Sequence, residues 1–453
     1  MSPPLKPIQL ALIGTGTVGG GVLRVLARNR SEITRRAGRD IVVARVGARD
    51  VAKARRLVGD DIPVDDDLTA VATDPSVEIV VELIGGIVDA KRLVLAAIGA
   101  GKHVVTANKA LLALHGNEIF AAAQAKGVMV AFEAAVAGGI PIIKALREGL
   151  SANRVEWIAG IINGTSNFIL SSMRETGATF AAALADAQRL GYAEADPTFD
   201  VEGVDAAHKL SIMSAIAFGI PMQFERAYTE GIAKLTADDI RYAEELGYRI
   251  KLLGISRRVE AGDAAGDAAG ERSSGIELRV HPTLIPTRRL LANVEGVMNA
   301  VLVKGDAVGP TLYYGAGAGA EPTASAVVAD LVDVTRLHTA DPEHRVPHLA
   351  FQPDSLSNTP ILPIAEVRTA YYLRLRVADK PGVLADITRI LADGGISIGA
   401  MLQKEPAEGT HATDIIMLTH GTLEKRVDAA IARIEALGTA LSEVTRIRVE
   451  DLA

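Results

Sequence analysis

The sequence contains no cysteine among its 453 residues. Without cysteine the chain can form no disulfide and can bind neither zinc nor an iron–sulfur cluster through thiolates. It also lacks the thiolate that an enzyme needs to oxidise an aldehyde to the acyl level through a thiohemiacetal. Hydride transfer between an alcohol and an aldehyde is still compatible with this composition, because it needs only a nicotinamide and an acid or base.

Long apolar runs and basic tracts are missing as well. The two longest apolar stretches, 79–88 and 128–143, are interrupted by Glu82 and Glu133 and are too short to span a membrane. The formal net charge is -7, which argues against nucleic acid or an anionic membrane as a partner. The N-terminal residues MSPPLKPI show no features of a signal peptide. We expect a cytoplasmic protein that acts on small molecules.

The length predicts two or three domains, and 49% hydrophobic with 23% charged residues is typical of a globular protein. The first domain begins with an apolar run of strand length, Ile8 to Ile13, followed by a GxGxxG motif and a helical pattern from Val22. A glycine-rich motif in this setting predicts a Rossmann-type dinucleotide site, with pyrophosphate at the helix N-terminus. A plain glycine-rich turn is the alternative. The motif residues are Gly14, Thr15, Gly16, Thr17, Val18 and Gly19.

Two charged residues follow the second predicted strand, Ile41 to Val46. Arg49 could pair with the 2'-phosphate of NADP, whereas Asp50 could accept hydrogen bonds from the ribose hydroxyls of NAD. We favour Arg49 and NADP, and keep NAD as the alternative. Further along, Gly85 and Gly86 follow a buried strand, and their missing side chains would let the backbone lie close to the cofactor.

A charged stretch, Gly191 to Leu210, precedes a long apolar segment that we interpret as a buried helix from Val201 onward. Asp205 and Lys209 lie four residues apart, so they share one face of that helix. A surface ion pair would explain this spacing. However, a lysine among apolar residues loses solvation of its ammonium form, which favours proton transfer. A proton shuttle is therefore the second hypothesis.

Several segments resemble those of homoserine dehydrogenases. They are GYAEADPTFDVEGVDAAHKL at 191–210, ANK at 107–109, NGTSN at 163–167 and a second glycine-rich segment at 315–323. The resemblance implies that Glu194 holds the substrate, Asp205 hydrogen-bonds it and Lys209 moves the proton. It places Lys109 between nicotinamide and substrate, and Gly191 and Gly319 against the cofactor. On residues alone, Lys109 would be an ordinary lysine at a strand end.

The segment 133–141 is nearly free of polar side chains, so only backbone carbonyls could bind a hard cation there. Similar segments of homoserine dehydrogenases hold a sodium ion with main-chain oxygens. The resemblance assigns these ligands to Glu133, Val136, Gly138 and Ile140. A plain turn before the following helix is an equally good interpretation of the residues.

The C-terminal part has the predicted order βαββαβ, and its DKPGVLADI segment resembles ACT regulatory domains. The resemblance implies a ferredoxin-like domain that binds an amino acid, which we expect to be threonine, at a paired edge. We therefore expect a homodimer or a homotetramer. We also expect this part to be separable from the catalytic part, because a proline-rich linker precedes it.

The expected fold class is α/β. The predicted layout is a Rossmann domain (1–150), an α+β catalytic and dimerisation domain (151–309), a return segment of the Rossmann domain (310–340), a linker (341–367) and an ACT domain (368–453). The low-complexity insertion 261–275 is expected to be a mobile loop.

Taken together, the resemblance implies an NAD(P)-dependent homoserine dehydrogenase that interconverts L-homoserine and L-aspartate 4-semialdehyde under feedback control. No kinase-like segment precedes the first strand, so we expect a monofunctional enzyme. Two alternatives are a non-catalytic amino-acid sensor with Rossmann and ACT domains, and a different amino-acid or hydroxy-acid dehydrogenase.

Overall fold

The computed structural model describes residues 5–260, 274–405 and 411–453. Its residue contacts divide the chain into two compact units. The first unit comprises Met1–Ile158, His208–Glu225 and Met298–Thr359, and the second comprises Ala159–Ala207, Arg226–Val297 and Pro360–Ala453. Most of the low-complexity insertion, residues 261–273, lies outside the described residues. Within the described ranges, no helix is both long and apolar enough to cross a membrane.

The described residues form the following strands, numbered in chain order: β1 (Ile8–Ile13), β2 (Ile41–Gly47), β3 (Val64–Asp65), β4 (Ile79–Glu82), β5 (His103–Thr106), β6 (Val130–Ala131), β7 (Val155–Ile161), β8 (Tyr228–Thr229), β9 (Tyr248–Val259), β10 (Gly275–Pro286), β11 (Met298–Gly305), β12 (Gly309–Ala316), β13 (Arg368–Ala378), β14 (Ile398–Gln403), β15 (Ala412–Thr419), β16 (Thr422–Leu423) and β17 (Thr445–Val449).

The α-helices of the same residues are α1 (Thr17–Arg28), α2 (Arg30–Ala37), α3 (Val51–Val58), α4 (Leu68–Ala72), α5 (Val88–Gly99), α6 (Lys109–Lys126), α7 (Ile142–Lys144), α8 (Gly164–Thr176), α9 (Phe180–Arg189), α10 (Thr198–Val201), α11 (Val204–Phe218), α12 (Ala237–Glu245), α13 (Ala320–Leu337), α14 (Val383–Asp393) and α15 (Glu424–Glu435). A π-helical turn, Ala145–Gly149, continues α7.

A six-stranded sheet forms the centre of the first unit, with the order β3-β2-β1-β4-β5-β6 and parallel pairing throughout. Its central strands are buried on both faces, which explains why β1 and β4 consist almost entirely of apolar residues. The strand order reverses between β1 and β4. In open sheets of this kind, a crevice for a ligand forms at the carboxyl ends of the strands beside such a switch point. The predicted Rossmann-type fold is confirmed.

Helix α13 belongs to the first unit although it comes late in the chain. Its residues Ala324, Val327 and Leu331 share one buried cluster with Leu12 and Val22. Its first residue lies so close to α1 that a Cβ added at Gly21 would be 2.4 Å from the carbonyl oxygen of Ala320. The second glycine-rich segment therefore leads into a helix that packs on α1.

In the second unit, β9 and β10 form a long antiparallel hairpin, and β10 pairs in parallel with β17. Beyond β17 the sheet continues in the order β17-β13-β15-β14. Without the two-residue strand β16, which pairs with the start of β13, these are the fourth, first, third and second strands of the C-terminal segment. The predicted ferredoxin-like βαββαβ arrangement of an ACT domain is therefore confirmed. From the sequence we expect this segment to be separable from the catalytic part. In the structure, however, its last strand, β17, hydrogen-bonds to β10.

Asn163 and Gly203 set two helix boundaries in the second unit. Helix α8 begins at Gly164, because the side chain of Asn163 caps it by accepting a hydrogen bond from the Ser166 N–H. The helix expected from Val201 begins three residues later, at Val204, and the short helix α10 precedes it. Gly203, with φ of +81°, separates α10 from α11, and a side chain would be strained in this conformation.

Candidate active site

The glycine turn of the first unit packs tightly on one side and is open on the other. A Cβ added at Gly14 would lie 2.6 Å from the carbonyl oxygen of Leu83, and one at Gly19 would lie 2.1 Å from that of Gly14. In contrast, nothing lies within 4 Å of the Cβ position of Gly16, which is the N-cap residue of α1. No side chain among the described residues caps this helix, so the N–H groups of its first turn, from Thr17, Val18 and Gly19, can bind a phosphate.

Beside the glycine turn, side chains connect the carboxyl ends of β4 and β5. The buried carboxylate of Glu82 accepts hydrogen bonds from the Ile84 N–H at 2.9 Å and from the Thr106 hydroxyl at 2.7 Å. Burial raises the pKa of Glu82, although these hydrogen bonds oppose the shift. Asn108 donates to the carbonyl oxygen of Gly86 at 2.7 Å. The loop that contains Gly85 is therefore fixed next to the start of α6.

Lys109 is the first residue of α6, directly after Asn108, which caps this helix by accepting a hydrogen bond from the Leu111 N–H. The Lys109 side chain is half-buried. In the same unit, Gly319 is the N-cap residue of α13 and has φ of +126°. A side chain would be strained there, and Pro322 follows in the first turn of the helix.

Arg49 and Asp50 follow β2 and are both exposed. The two residues differ in what they already bind. Asp50 is the N-cap residue of α3, and its carboxylate accepts a hydrogen bond from the Lys53 N–H at 2.9 Å. Asp50 therefore has a local structural role that explains its presence without a ribose.

The predicted cation loop is held by the buried carboxylate of Glu133. The Glu133 side chain accepts hydrogen bonds from the N–H groups of Ile143 and Lys144 at 2.9 and 2.8 Å. Ala137 and Gly138 have positive φ values, and a Cβ on Gly138 would lie 2.5 Å from the carbonyl oxygen of Gly317. Within the described residues no group of three or more acidic, histidine or cysteine side chains could hold a metal ion.

In the second unit, one asparagine connects two aspartates of the charged stretch. The amide nitrogen of Asn163 donates to Asp200 Oδ1 and to Asp205 Oδ2, in both cases at 2.8 Å. Asn163 and Asp205 are almost completely buried. The sequence predicts a functional role for Asp205 but none for Asn163 or Asp200. The helix cap at Asn163 was the available signal, but the contact with Asp205 spans 42 residues.

Gly191 and Glu194 lie in the turn after α9. Gly191 has φ of +77° and is open at its Cβ position. The carboxylate of Glu194 is exposed and forms no hydrogen bond or ion pair with the described residues, whereas its carbonyl oxygen accepts from the Gln188 amide at 3.1 Å. This backbone contact holds the turn while the carboxylate is accessible to a ligand.

Helix α11 carries Asp205 in its first turn and Lys209 one turn later. Asp205 is buried and Lys209 is half-buried. The two residues therefore do not form the exposed ion pair that their spacing alone would explain. His208 is buried and packs edge-on against Phe224, with 4.2 Å between the ring centroids.

The three known domain families that match the chain cover most of its length. The NAD binding domain of homoserine dehydrogenase matches residues 14–133, homoserine dehydrogenase matches residues 141–332, and the ACT domain matches residues 371–439. The homoserine dehydrogenase of Pseudomonas aeruginosa is 61% identical over 448 residues, which are 99% of this chain and 100% of that relative. The chain belongs to the homoserine dehydrogenase family.

Solved homoserine dehydrogenases have the same fold. The crystal structure of the Thiobacillus denitrificans enzyme covers 99% of both chains with 71% identity and a TM-score of 0.92. A hyperthermophilic archaeal homoserine dehydrogenase in complex with NADPH covers 74% of this chain and 99% of its own, with 24% identity and a TM-score of 0.61. The latter shows the fold alone.

Family membership decides between the three functions considered from the sequence. The protein is an oxidoreductase that interconverts L-homoserine and L-aspartate 4-semialdehyde with a nicotinamide cofactor. A non-catalytic sensor and a different dehydrogenase are not supported. The C-terminal ACT domain fits regulation by an amino acid.

Proposed function

We propose that Lys209 is the acid and base of this reaction and that Glu194 and Asp205 bind the substrate. When bound, the nicotinamide supplies or accepts the hydride at the carbon that carries the reacting oxygen. During reduction, Lys209 in its ammonium form donates a proton to the aldehyde oxygen. During oxidation, the neutral amine accepts the hydroxyl proton. The half-buried position of Lys209 on α11, one turn after Asp205, supports this role.

The carboxylates of Glu194 and Asp205 both suit the binding of the substrate. Homoserine and aspartate semialdehyde share an α-ammonium group, and a carboxylate forms charge-assisted hydrogen bonds with it. Glu194 has no competing partner among the described residues, and Asp205 is fixed by Asn163. Lys109, at the start of α6, stabilises developing negative charge on the reacting oxygen or delivers the proton itself.

The observation that carries this proposal is the pair Asp205 and Lys209 on one mostly buried helix. An assay of NADPH absorbance with L-aspartate 4-semialdehyde tests it with the variant Glu194→Gln. We expect a strongly raised KM for the semialdehyde and an unchanged KM for NADPH. Glu202→Gln, an exposed carboxylate of the same stretch, is the matched control. A change confined to the KM for NADPH would contradict the assignment of Glu194.

We further propose NADP as the preferred cofactor, with Arg49 as the ligand of the 2'-phosphate. Arg49 is exposed at the end of β2, whereas Asp50 already caps α3. A guanidinium group binds a phosphate through charge-assisted hydrogen bonds. The archaeal relative is in complex with NADPH, which agrees with this choice.

We propose that a sodium ion binds the loop from Glu133 to Ile140 through the main-chain oxygens of Glu133, Val136, Gly138 and Ile140. The carbonyl oxygens of Val136 and Gly138 accept no hydrogen bond from the described residues, and the positive φ values of Ala137 and Gly138 turn the backbone at this point. Carbonyl oxygens are suitable ligands for a hard cation. Those of Glu133 and Ile140 also accept hydrogen bonds, from the N–H groups of Val136 and Ile142, and would bind the ion through their second lone pair.

Threonine is the effector that we propose for the ACT domain. A cavity of about 380 Å³ lies at the turn between β13 and α14, lined by Asp379, Lys380, Pro381, Gly382 and neighbouring residues. Gly382, the N-cap residue of α14, has φ of +95° and leaves the first N–H groups of the helix without a side-chain cap. These N–H groups and the helix dipole can bind the carboxylate of an amino acid.

Threonine titration of the full-length protein tests this effector. We expect inhibition that the variant Lys380→Ala weakens, while Lys425→Ala, exposed on α15 and outside the cavity, inhibits like the wild type. Removal of the whole ACT domain is a poor control because β17 pairs with β10. Full-length activity that does not respond to threonine would contradict the assignment.

We also propose that the protein forms a homodimer or a homotetramer. Strand β14 is the last strand of its sheet among the described residues, and Gly399, Ala400 and Met401 are exposed on it. Such an edge can pair with a second copy. Sedimentation of the full-length protein gives the number of subunits, and a monomer at assay concentration would contradict this proposal.

A further inference from the structure

The Asn163 side chain makes three hydrogen bonds within the second unit, two through its amide hydrogens and one through its oxygen. Its oxygen accepts from the Ser166 N–H at 2.8 Å, and its two amide hydrogens go to Asp200 and Asp205. The N–H group of Ser166 can only donate a hydrogen bond. The side-chain oxygen of Asn163 must therefore face Ser166, and its NH₂ group must face the carboxylates. The side chain has no alternative orientation that satisfies these three contacts.

The backbone of Asp200 is itself held in place by a hydrogen bond. The hydroxyl of the fully buried Ser166 donates to the carbonyl oxygen of Asp200 at 3.0 Å. The break at Gly203 then turns the chain from α10 into α11, which brings Asp200 and Asp205 to the same amide. One NH₂ group thus lies between two carboxylates that would otherwise repel each other.

The position of Asp205 depends on this donor for two reasons. Asp205 is only 4% exposed, so a lost hydrogen bond would not be replaced freely by water. Its side chain also has two rotatable bonds, and a carboxylate that must receive a substrate group needs a defined rotamer. A hydrogen bond of 2.8 Å to one oxygen fixes the plane of the group.

We propose that Asn163 is a positioning residue for the reaction: it orients Asp205 and keeps it ionised beside Asp200. This inference rests on the proposed role of Asp205 in substrate binding. Asn163 itself touches no substrate in this account. Its effect should therefore appear in the use of homoserine and in the pH profile, and not in the binding of the cofactor.

Two substitutions separate this role from the capping of α8. Asn163→Ser keeps a good cap residue and removes both amide donors, whereas Asn163→Asp keeps the shape and the cap but places a third carboxylate beside the other two. We expect kcat/KM for homoserine to fall about 10- to 100-fold in Asn163→Ser, the range for a lost hydrogen bond to a charged group. Asn163→Asp should be affected more, and the KM for NADP should not change.

The pH profile provides the readout that a structural role would not change. In a plot of kcat/KM against pH, the fall on the acidic side (the acidic limb) should move to higher pH in Asn163→Ser and in Asn163→Asp. Asp205 loses a hydrogen-bond donor that stabilises its ionised form in both variants. The matched control is Asn167→Ser on the same helix, where the amide donates to the carbonyl oxygens of Val294 and Gly296. We expect lower stability there without a shift of the acidic limb. An unmoved limb in the Asn163 variants would overturn the proposal.

A double-mutant cycle with Asp205→Asn distinguishes failure of the proposal from failure of the assigned site. If Asn163 acts through Asp205, Asn163→Ser should lower kcat/KM by less than about 3-fold in the Asp205→Asn background. An equal loss in both backgrounds would show that Asn163 acts elsewhere and would overturn the proposal. Wild-type kinetics of Asp205→Asn alone would refute the role of Asp205 and, with it, any positioning role of Asn163.

Discussion

The carboxyl edge of the sheet in the first unit and the strand pair β10–β17 in the second unit are packed in different ways. The first is built from backbone atoms and apolar side chains, and the second from buried charged side chains. Around the glycine turn, the packing partners of Gly14 and Gly19 are backbone oxygens, and the strand behind them is apolar. On β10 and β17, the largest fully buried side chains include Arg279 and Arg448. Their partners are the carboxylates Glu277, Glu424 and Glu450.

The difference shows two ways to make a buried surface specific. Where backbone meets backbone, specificity comes from the absence of side chains, so an added methyl group is harmful. Where buried charges meet, each charge depends on its partner, and removing one partner leaves the other desolvated without compensation. The proposed cofactor site belongs to the first kind. The contact of Asn163 with two aspartates belongs to the second.

The largest effect is expected for Arg448→Ala. The Arg448 side chain is fully buried and donates to Glu424 at 2.8 Å and to Glu230 at 2.8 Å. Its removal leaves Glu424 buried with fewer partners, and we expect the free energy of unfolding to fall by roughly 3–5 kcal/mol. Denaturant unfolding measures this change.

An exposed ion pair is the control for Arg448. Arg433 pairs with Asp393 at 3.1 Å, and both side chains are about half exposed. Arg433→Ala should cost less than about 1 kcal/mol. Equal losses in the two variants would show that burial does not set the cost at β17.

Acid should weaken the second unit through Glu450. Burial alone would raise the pKa of Glu450, but the nearby guanidinium groups of Arg257 and Arg279 outweigh it and lower the pKa to about 2. A lowered folded-state pKa means that the stabilisation is present above the unfolded-state value of 4.5 and is lost as the pH falls towards 2.

The variant Glu450→Gln isolates this contribution. The difference in free energy of unfolding between wild type and variant should be constant near neutral pH and should shrink as the pH falls below 4.5. Asp393→Asn, in the exposed pair, should show no comparable change. A difference for Glu450→Gln that is independent of pH would contradict the ionised state of Glu450.

The glycine turn should respond to a single methyl group. In Gly19→Ala the new Cβ would meet the carbonyl oxygen of Gly14, so we expect a loss of roughly 1–3 kcal/mol in stability together with weaker NADPH binding. Gly16→Ala is the control, because its Cβ position has no neighbour within 4 Å. It should fold like the wild type and affect only the cofactor. A stable Gly19→Ala variant with normal cofactor affinity would contradict the close packing.

The smallest expected effect concerns cofactor choice. Arg49→Ala should raise the Kd of NADP about 10-fold and leave that of NAD nearly unchanged, because a charge-assisted contact is lost only with the phosphorylated cofactor. Arg55→Ala, an exposed arginine of the adjacent helix α3, should change neither value. Equal losses of affinity for NADP and NAD would contradict a contact between Arg49 and the 2'-phosphate and would indicate an effect on the fold of the loop.

The sequence predicts those features that depend on neighbouring residues. The glycine turn follows a strand and precedes a helix, and the ACT segment has a regular order of elements, so the sequence alone is enough to predict both. Asn163 and Arg448 were missed because their partners lie far away in the chain, Asp205 by 42 residues and Glu230 by 218. The break at Gly203 was missed because apolar residues continue on both sides of it.

The most direct test of the account is the turnover of Lys209→Ala with homoserine and with aspartate semialdehyde, measured beside its affinity for NADPH. Lys209 is proposed to move the proton and not to bind the cofactor. We therefore expect kcat to fall about 100-fold or more in both directions, with the Kd of NADPH unchanged within about 2-fold. Near-wild-type turnover would contradict the proposed mechanism.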